Sequence, residues 1–396
     1  MKRTPVIKMA ATNNIPQWPA SSNKRLTFPY FAQAATLPAP LPTMAEILAA
    51  KDVFPCIFRK RCIRRVGEHY IVKYGEISLD EAENMHFVAE NCGPDAARIM
   101  QAATEGVDNS DGGNGTAKAD DAAVVGMIVP KLYAAFHDTE TNSNFIIMEY
   151  VPGKSLEEAW NTLGRAGRAR ITKHLNAQFA AVRNIAPDVE DANGCNTEDY
   201  KHKHNHKHGG HHNYNANGNT NARDAYYGRL GRRPYNDIFL GSSTLPCGPF
   251  NHESQLNEAF YQRYASLHPD LATGRGAFYR ERVFPKILKG HPPVFTHGDL
   301  QAKNILVREA DGLPVVVDWE CAAWYPSYWE YTNALWTSRR WGDEWWGFVG
   351  DVLGGGEGEF VVEFKCVENL MGDLLDETQP GVEGWGQGWD SCLSPN

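Results

Sequence analysis

The sequence predicts an α+β chain in two lobes, a small antiparallel sheet with one helix followed by a larger helical part. Three observations predict it. A hairpin pattern at 62–74, CIRRVGEHYIVKY, leads directly into one amphipathic helix pattern, and two further strand-like runs lie near 127–136 and 145–150. From Ser155 onward the apolar spacing is mostly helical. Between the two regimes, Val151-Pro152-Gly153 breaks the chain. Strands gathered first and helices afterwards indicate α+β rather than alternating α/β organisation.

Each element follows in order. Residues 1–43, rich in Pro, Ala, Asn and Thr without periodicity, read as disordered or loosely attached, and 44–50 as a short helix. The lobe boundaries are then 44–151 and 152–378, with 379–396 as a tail. In the hairpin, Gly67-Glu68 makes the turn, and the second strand places Tyr70, Val72 and Tyr74 on one face and Ile71 and Lys73 on the other. Ser78-Leu79-Asp80-Glu81 fits a capping box. Ala82, Met85, Val88 and Ala89 give a helical stripe that Gly93-Pro94 stops. Residues 101–121 are a low-complexity insert. Ser155 caps a helix with Leu156, Ala159 and Trp160 on one face, and another helix covers 168–184. A second insert, 191–222, carries six of the 14 histidines within 202–212. His alternating with Lys among Gly and Asn cannot pack a core, and any zinc or nickel it took would be adventitious. Helices near 252–267 and 279–289 come next. Two strands, 305–307 and 315–317, meet through an Asp311-Gly312 turn, and a last helical region runs over 328–376.

Composition narrows the classes. With 396 residues, 42% hydrophobic and 22% charged, the chain is neither wholly disordered nor fibrous. No apolar run approaches the ~18 residues of a membrane span, and no secretory apolar region follows the N-terminus, so a cytoplasmic location is expected. The net charge is −9, and 15 acidic residues against 3 basic ones lie from Asp318 onward. No basic face for nucleic acid is visible, and neither nucleic acid nor membrane is an expected partner. Eight cysteines without a Cys-x-x-Cys pair read as free thiols. Oligomeric state leaves no mark in the sequence.

The chemistry concentrates in Thr296-His297-Gly298-Asp299-Leu300-Gln301-Ala302-Lys303-Asn304, followed by Val315-Val316-Val317-Asp318-Trp319-Glu320. Phosphoryl transfer needs this pattern: one carboxylate takes the acceptor hydroxyl's proton, while a carboxamide and a second carboxylate hold Mg²⁺ on the nucleotide phosphates. Hard oxygen ligands suit that ion, which keeps several waters. On the residues alone, Lys73 could snorkel from a surface strand and Glu81 could serve only as the capping carboxylate.

These motifs resemble the aminoglycoside phosphotransferase and choline kinase-like family, which has a protein-kinase-like bilobal fold. The tract Trp324-Tyr325-Pro326-Ser327-Tyr328-Trp329-Glu330-Tyr331, the stretch 145–150 and the segment 226–250 resemble its fungal branch. The resemblance spans about residues 50–375. It implies Asp299 as catalytic base, Asn304 and Asp318 as Mg²⁺ ligands, and Lys73 on the α- and β-phosphates of ATP. Glu81 would pair with Lys73, with Glu83 as the runner-up partner. Backbone groups of Glu149 and Val151 would meet the adenine, with Met148 behind it, and His297 would hold the loop by hydrogen bonding. The implied activity is ATP- and Mg²⁺-dependent transfer of a γ-phosphoryl group to a small-molecule hydroxyl acceptor, such as an amino alcohol, an aminoglycoside-like sugar or another metabolite. An acidic C-terminal region would draw a cationic acceptor. A non-catalytic nucleotide-binding scaffold is the alternative, and a protein kinase the lesser one, because the metal segment reads DWE rather than DFG and no APE follows.

The sequence departs from the family twice. No Gly-rich loop precedes Lys73; the turn over the phosphates would be Arg59-Lys60-Arg61, basic side chains in place of backbone amides. The 101–121 insert also interrupts the stretch after the first-lobe helix, leaving Val129-Pro130-Lys131. Gly354–Gly358 is no phosphate loop, since neither a strand before it nor a Lys-Ser/Thr after it is present.

Overall fold

The computed structural model describes residues 25–53, 61–95, 126–187, 225–236, 239–241, 244–338, 344–353 and 360–374. The inserts 101–121 and 191–222, the basic residues Arg59 and Lys60, the glycines of 354–358 and the 379–396 tail lie outside them.

The first part is a five-stranded antiparallel sheet in the order β1-β4-β5-β3-β2. Its strands are β1 (Tyr30–Phe31), β2 (Cys62–Val66), β3 (Tyr70–Gly75), β4 (Leu132–Asp138) and β5 (Ser143–Glu149), with helices α1 (Met44–Ala49) and α2 (Asp80–Cys92). Gly67, at φ 62°, turns the expected hairpin. β4 and β5 differ from the expected spans 127–136 and 145–150. Residues 126–130 stay extended outside the sheet because their backbone is spent elsewhere: Met127 N–H donates to Cys92 O at 2.7 Å, and Ile128 O accepts from Val316 N–H at 3.0 Å.

The two faces of the sheet have separate cores. Inward, Ala135, Ile146 and Met148 join Ala82, Met85 and Val88 of α2 and the helical part in one cluster. Outward, Val66, Tyr70, Val72, Phe145 and Ile147 pack with Ile47 under Ala32, Leu37, Ala39 and Leu41. Residues 25–43 are therefore not loosely attached, contrary to the expectation. An outward apolar face needs cover, and this stretch supplies it with an edge strand and irregularly spaced Leu and Ala.

The chain enters the second part at β6 (Gly153–Ser155) and continues through α3 (Leu156–Ala159), α4 (Arg165–Arg183) and α5 (Glu253–Leu267). Ser155 caps α3 through a full capping box with Glu158. After short turns come β7 (Pro293–Thr296), β8 (Ile305–Arg308), β9 (Pro314–Val316), β10 (Ala323–Pro326), α6 (Trp329–Ser338), α7 (Glu344–Leu353) and α8 (Val361–Leu374). β6, β8 and β9 form one small antiparallel sheet and β7 pairs with β10. The helix expected over 279–289 is present but irregular: a π-helical turn over Tyr279–Val283 runs into Phe284–Ile287, where Pro285 has no N–H to donate. The last helical region expected over 328–376 holds three helices among the described residues. Among the described residues no helix is long and apolar enough to cross a membrane.

Candidate active site

Strand alternation sends Lys73 inward, across from Ile146 on β5 and against α2. Its ammonium lies 2.7 Å from Glu81 and 2.9 Å from Asp318. The capping-box reading of Glu81 is corrected here. The carboxylate turns to Lys73, and the Ser78 hydroxyl instead accepts from Asp80 N–H at 3.1 Å. Glu83 meets Arg25 at 2.9 Å and also Arg233, so it is no partner of Lys73. Asp318 adopts the left-handed conformation, φ 67° and ψ 58°, directly after β9. Asp tolerates that region better than most side chains, and the turn points its carboxylate back at Lys73.

The other half of the site is the loop between β7 and β8. Gly298, at φ 79°, has no room for a side chain: a Cβ there would stand 2.6 Å from Cys321 O. The loop carrying Asp299 and the segment after Asp318 thus touch back to back. His297 Nε2 lies 2.9 Å from Val317 O and its Nδ1 accepts Asp299 N–H at 3.2 Å, which makes Nε2 the protonated nitrogen. Asn304 donates to Asp299 O and Oδ2, both at 2.9 Å, and Gln301 donates to Oδ1. Val317 N–H donates to Asn304 O at 2.9 Å, tying loop to strand.

Burial sets the protonation of these groups. Asp299, 7% exposed, is pushed up to about 7 by burial, against the pull of Lys303 and the bonds from Gln301 and Asn304. His297, fully buried, is lowered by burial to about 4 and is neutral at pH 7. Burial alone would lower Lys73, but Asp318 and then Glu81 outweigh it and hold the ammonium charged. One ammonium serves two carboxylates, and burial pushes the more enclosed of them, Glu81, up, while Lys73 keeps Asp318 below its ordinary value.

Several supporting residues escape a reading of the sequence. Glu330, on α6, accepts His297 N–H at 2.5 Å and Gly298 N–H at 3.2 Å, and Asn333 donates to Gly298 O at 2.5 Å. Burial pushes Glu330 up to about 7 in spite of those two donors. The signal for it was an acid inside the aromatic run Tyr328-Trp329-Glu330-Tyr331, where a charge needs a reason. Asn84, on α2, donates to Trp319 O at 2.8 Å and Ala322 O at 3.2 Å. Arg61, the last residue of the basic turn, reaches Glu320 across the cleft at 3.3 Å.

The donor set suits Mg²⁺. Asp318, its side chain 30% exposed, and the Asn304 carboxamide are hard oxygen donors on adjoining segments. No cluster of three His, Cys, Asp or Glu able to hold a metal occurs among the described residues. An ion that takes its remaining ligands from phosphate and water needs no such cluster. At the connection between the two parts, Met148 and Val151 are buried, and Glu149 spends its N–H on Lys131 O at 2.9 Å. Any contact of Glu149 with a base therefore falls to its carbonyl.

A search of curated proteins finds no match. Among solved structures, the GDP complex of wild-type aminoglycoside 2'-phosphotransferase-IIIa is similar at 11% identity and a TM-score of 0.46, over 87% of this chain and 89% of that one. Aminoglycoside phosphotransferase APH(4)-Ia is similar at 12% identity and a TM-score of 0.44, over 84% and 85%. Likeness that loose decides nothing about chemistry. The phosphotransferase enzyme family, in contrast, matches residues 117–362, a stretch that holds Asp299, Asn304 and Asp318; Lys73 and Glu81 lie before it and are brought to the site by the fold. By that match over more than half its length, the chain belongs to the phosphotransferase enzyme family.

Proposed function

We propose that the protein transfers the γ-phosphoryl group of ATP, with Mg²⁺, to a hydroxyl group of a small molecule. The observation that carries this reading is the meeting of two differently tuned carboxylates. Asp299 is buried and takes its side-chain hydrogen bonds from the neutral amides of Gln301 and Asn304, whereas Asp318 stands 2.9 Å from Lys73. Two acids with separated environments divide base and ligand roles.

In this reading the acceptor oxygen loses its proton to an Asp299 carboxylate oxygen as it bonds to phosphorus, and the bond from phosphorus to the ADP oxygen breaks. Asn304 and Gln301 fix the orientation of that carboxylate, and neutral His297 with Glu330 holds the loop. Lys73 bears on the α- and β-phosphates and Glu81 keeps it aimed. Asn304 and Asp318 would hold Mg²⁺, which supplies charge neutralisation on the phosphates. Met148, Glu149 and Val151 would frame the adenine.

The test separates the two aspartates. Asp299→Asn is expected to keep Mg²⁺-nucleotide binding and to lose turnover by ~10²–10⁴, the usual weight of general-base catalysis. Asp318→Asn is expected to lose turnover and also to raise the Mg²⁺ midpoint for nucleotide binding. Titrating Mg²⁺ against nucleotide binding in both variants, with acceptors drawn from a metabolite panel for turnover, decides it. The opposite pattern of midpoints overturns the reading.

A further inference from the structure

Helix α2 carries Glu81, and its first turn carries two more buried acids. The side chains of Asp80 and Glu83 are 6% and 3% exposed. Neither is a partner of Lys73. Both are met by arginines from the stretch 225–236, which lies between α4 and α5 in the chain. Arg233 bridges the two, one nitrogen 2.6 Å from Asp80 and the other on Glu83. Arg229 takes the second oxygen of Asp80, Arg25 takes the second oxygen of Glu83 at 2.9 Å, and Asn236 stands 3.4 Å from Asp80.

The arginines are themselves anchored. Arg229 and Arg233 exchange backbone hydrogen bonds at 2.9 and 3.2 Å, closing a tight loop. Gly228 exchanges backbone bonds with Trp324 of β10 at 3.0 and 2.9 Å, and Tyr235 donates its hydroxyl to Trp324 O at 2.5 Å. β10 pairs with β7, and β7 runs straight into His297. A continuous set of hydrogen bonds therefore runs from the first turn of α2 to the loop of Asp299. Structural ion pairs on a surface contribute little. These are different: two carboxylates nearly sealed from water, sharing a forked guanidinium, on either side of Glu81 in sequence.

We propose that Arg233 and Arg229 are positioning residues that act through Asp80 and Glu83 to set α2 where Glu81 meets Lys73. The inference rests on the nucleotide-binding role given above to Lys73 and Glu81. Without the clamp, α2 keeps its helix, its apolar stripe and the Asn84 bonds to 319–322 but loses the charged contacts that hold its first turn. Glu81 then no longer holds the ammonium of Lys73 in the direction of the phosphates.

The experiment is a double-mutant cycle read as Mg²⁺-ATP affinity by calorimetry. Arg233→Gln and Glu81→Gln should each weaken binding about tenfold, and the double variant should be no weaker than the worse single one within about twofold, because both remove one coupled unit. Arg233→Lys should recover part of the loss, since it restores the charge without the fork. Affinity of Arg233→Gln within twofold of wild type, or full additivity with Glu81→Gln, overturns the proposal. If Arg233→Gln does not fold, the charge-balanced pair Asp80→Asn with Arg229→Gln enters the same cycle under the same criteria. Wild-type protein that fails to bind Mg²⁺-ATP sinks the nucleotide reading itself, and the clamp proposal with it.

Discussion

Asp299 shows how one residue couples chemistry to stability. As the base proposed above, its buried carboxyl, raised to about 7, would place the acid limb of kcat/KM near that pH: turnover should rise through it as the base ionises, and a profile flat from pH 5.5 to 8 would contradict the assignment. The stability consequence has a definite sign. A carboxyl whose folded pKa exceeds its ordinary value gives full stability below about 4 and loses it as pH rises toward 7. Asp299→Asn removes that loss, so its melting temperature relative to wild type should climb between pH 5 and pH 8. Gly298 invites a second test. An alanine there meets Cys321 O and adopts a left-handed backbone at a cost of about 1–2 kcal/mol before any clash is counted. Gly298→Ala should lower the melting temperature and abolish turnover together, because the two loops it separates carry Asp299 and Asp318.

Among elements, the outer cover of the sheet was the least legible. The hairpin, the sharing of one face by Ile71 and Lys73, the Ser155 cap and the helix after Ser78 could all be read from local periodicity. The cover could not, because Ala32, Leu37, Ala39 and Leu41 follow the shape of a sheet face rather than any period of their own. Its energetic weight is testable. Val72, Phe145 and Ile147 are 0–2% exposed, and uncovering each large apolar side chain costs about 1.5–3 kcal/mol. Removing residues 1–43 should therefore destabilise the protein by several such increments, seen as a large fall in the urea midpoint. An unchanged midpoint would mean the outer core is not needed. The Glu330 contact is likewise an element effect, α6 supporting the loop from behind. Glu330→Gln keeps one acceptor for two backbone donors and should reduce turnover more than it reduces nucleotide affinity.

Across the whole molecule, the buried acids and histidines combine into one pH dependence. Asp299, Glu81 and Glu330 are each raised to about 7 by burial, and His291, set between Glu253 and Glu363, is raised because those carboxylates outweigh its burial. All four contribute stability that is present at low pH and lost as pH rises through their folded values. His297, lowered to about 4, works the other way and gains stability between about pH 4 and 6.5. The raised groups outnumber it, so the melting temperature should fall steadily from pH 5 to pH 8; a rise over that window would show that these groups are not buried as described. The site itself was readable as far as its motifs run, since Asp299, Asn304 and Asp318 sit in two short stretches and Lys73 and Glu81 in a third. What no local pattern contains is the long-range support, Asn84 on the 319–322 backbone and Arg233 on the first turn of α2.

That support has a mechanical consequence. α2 lies in sequence between two strands of the sheet, yet most of its directional side-chain bonds, those of Asp80, Asn84 and one of Glu83, run to the helical body. Its links to the sheet are the apolar cluster around Met85 and Ile146 and one ion pair, Glu81 with Lys73, and apolar surfaces can glide where forked guanidinium bonds cannot. α2 is thus a passenger of the larger body. Any displacement of the strands relative to that body would therefore be expected to register first in the separation of Lys73 from Glu81.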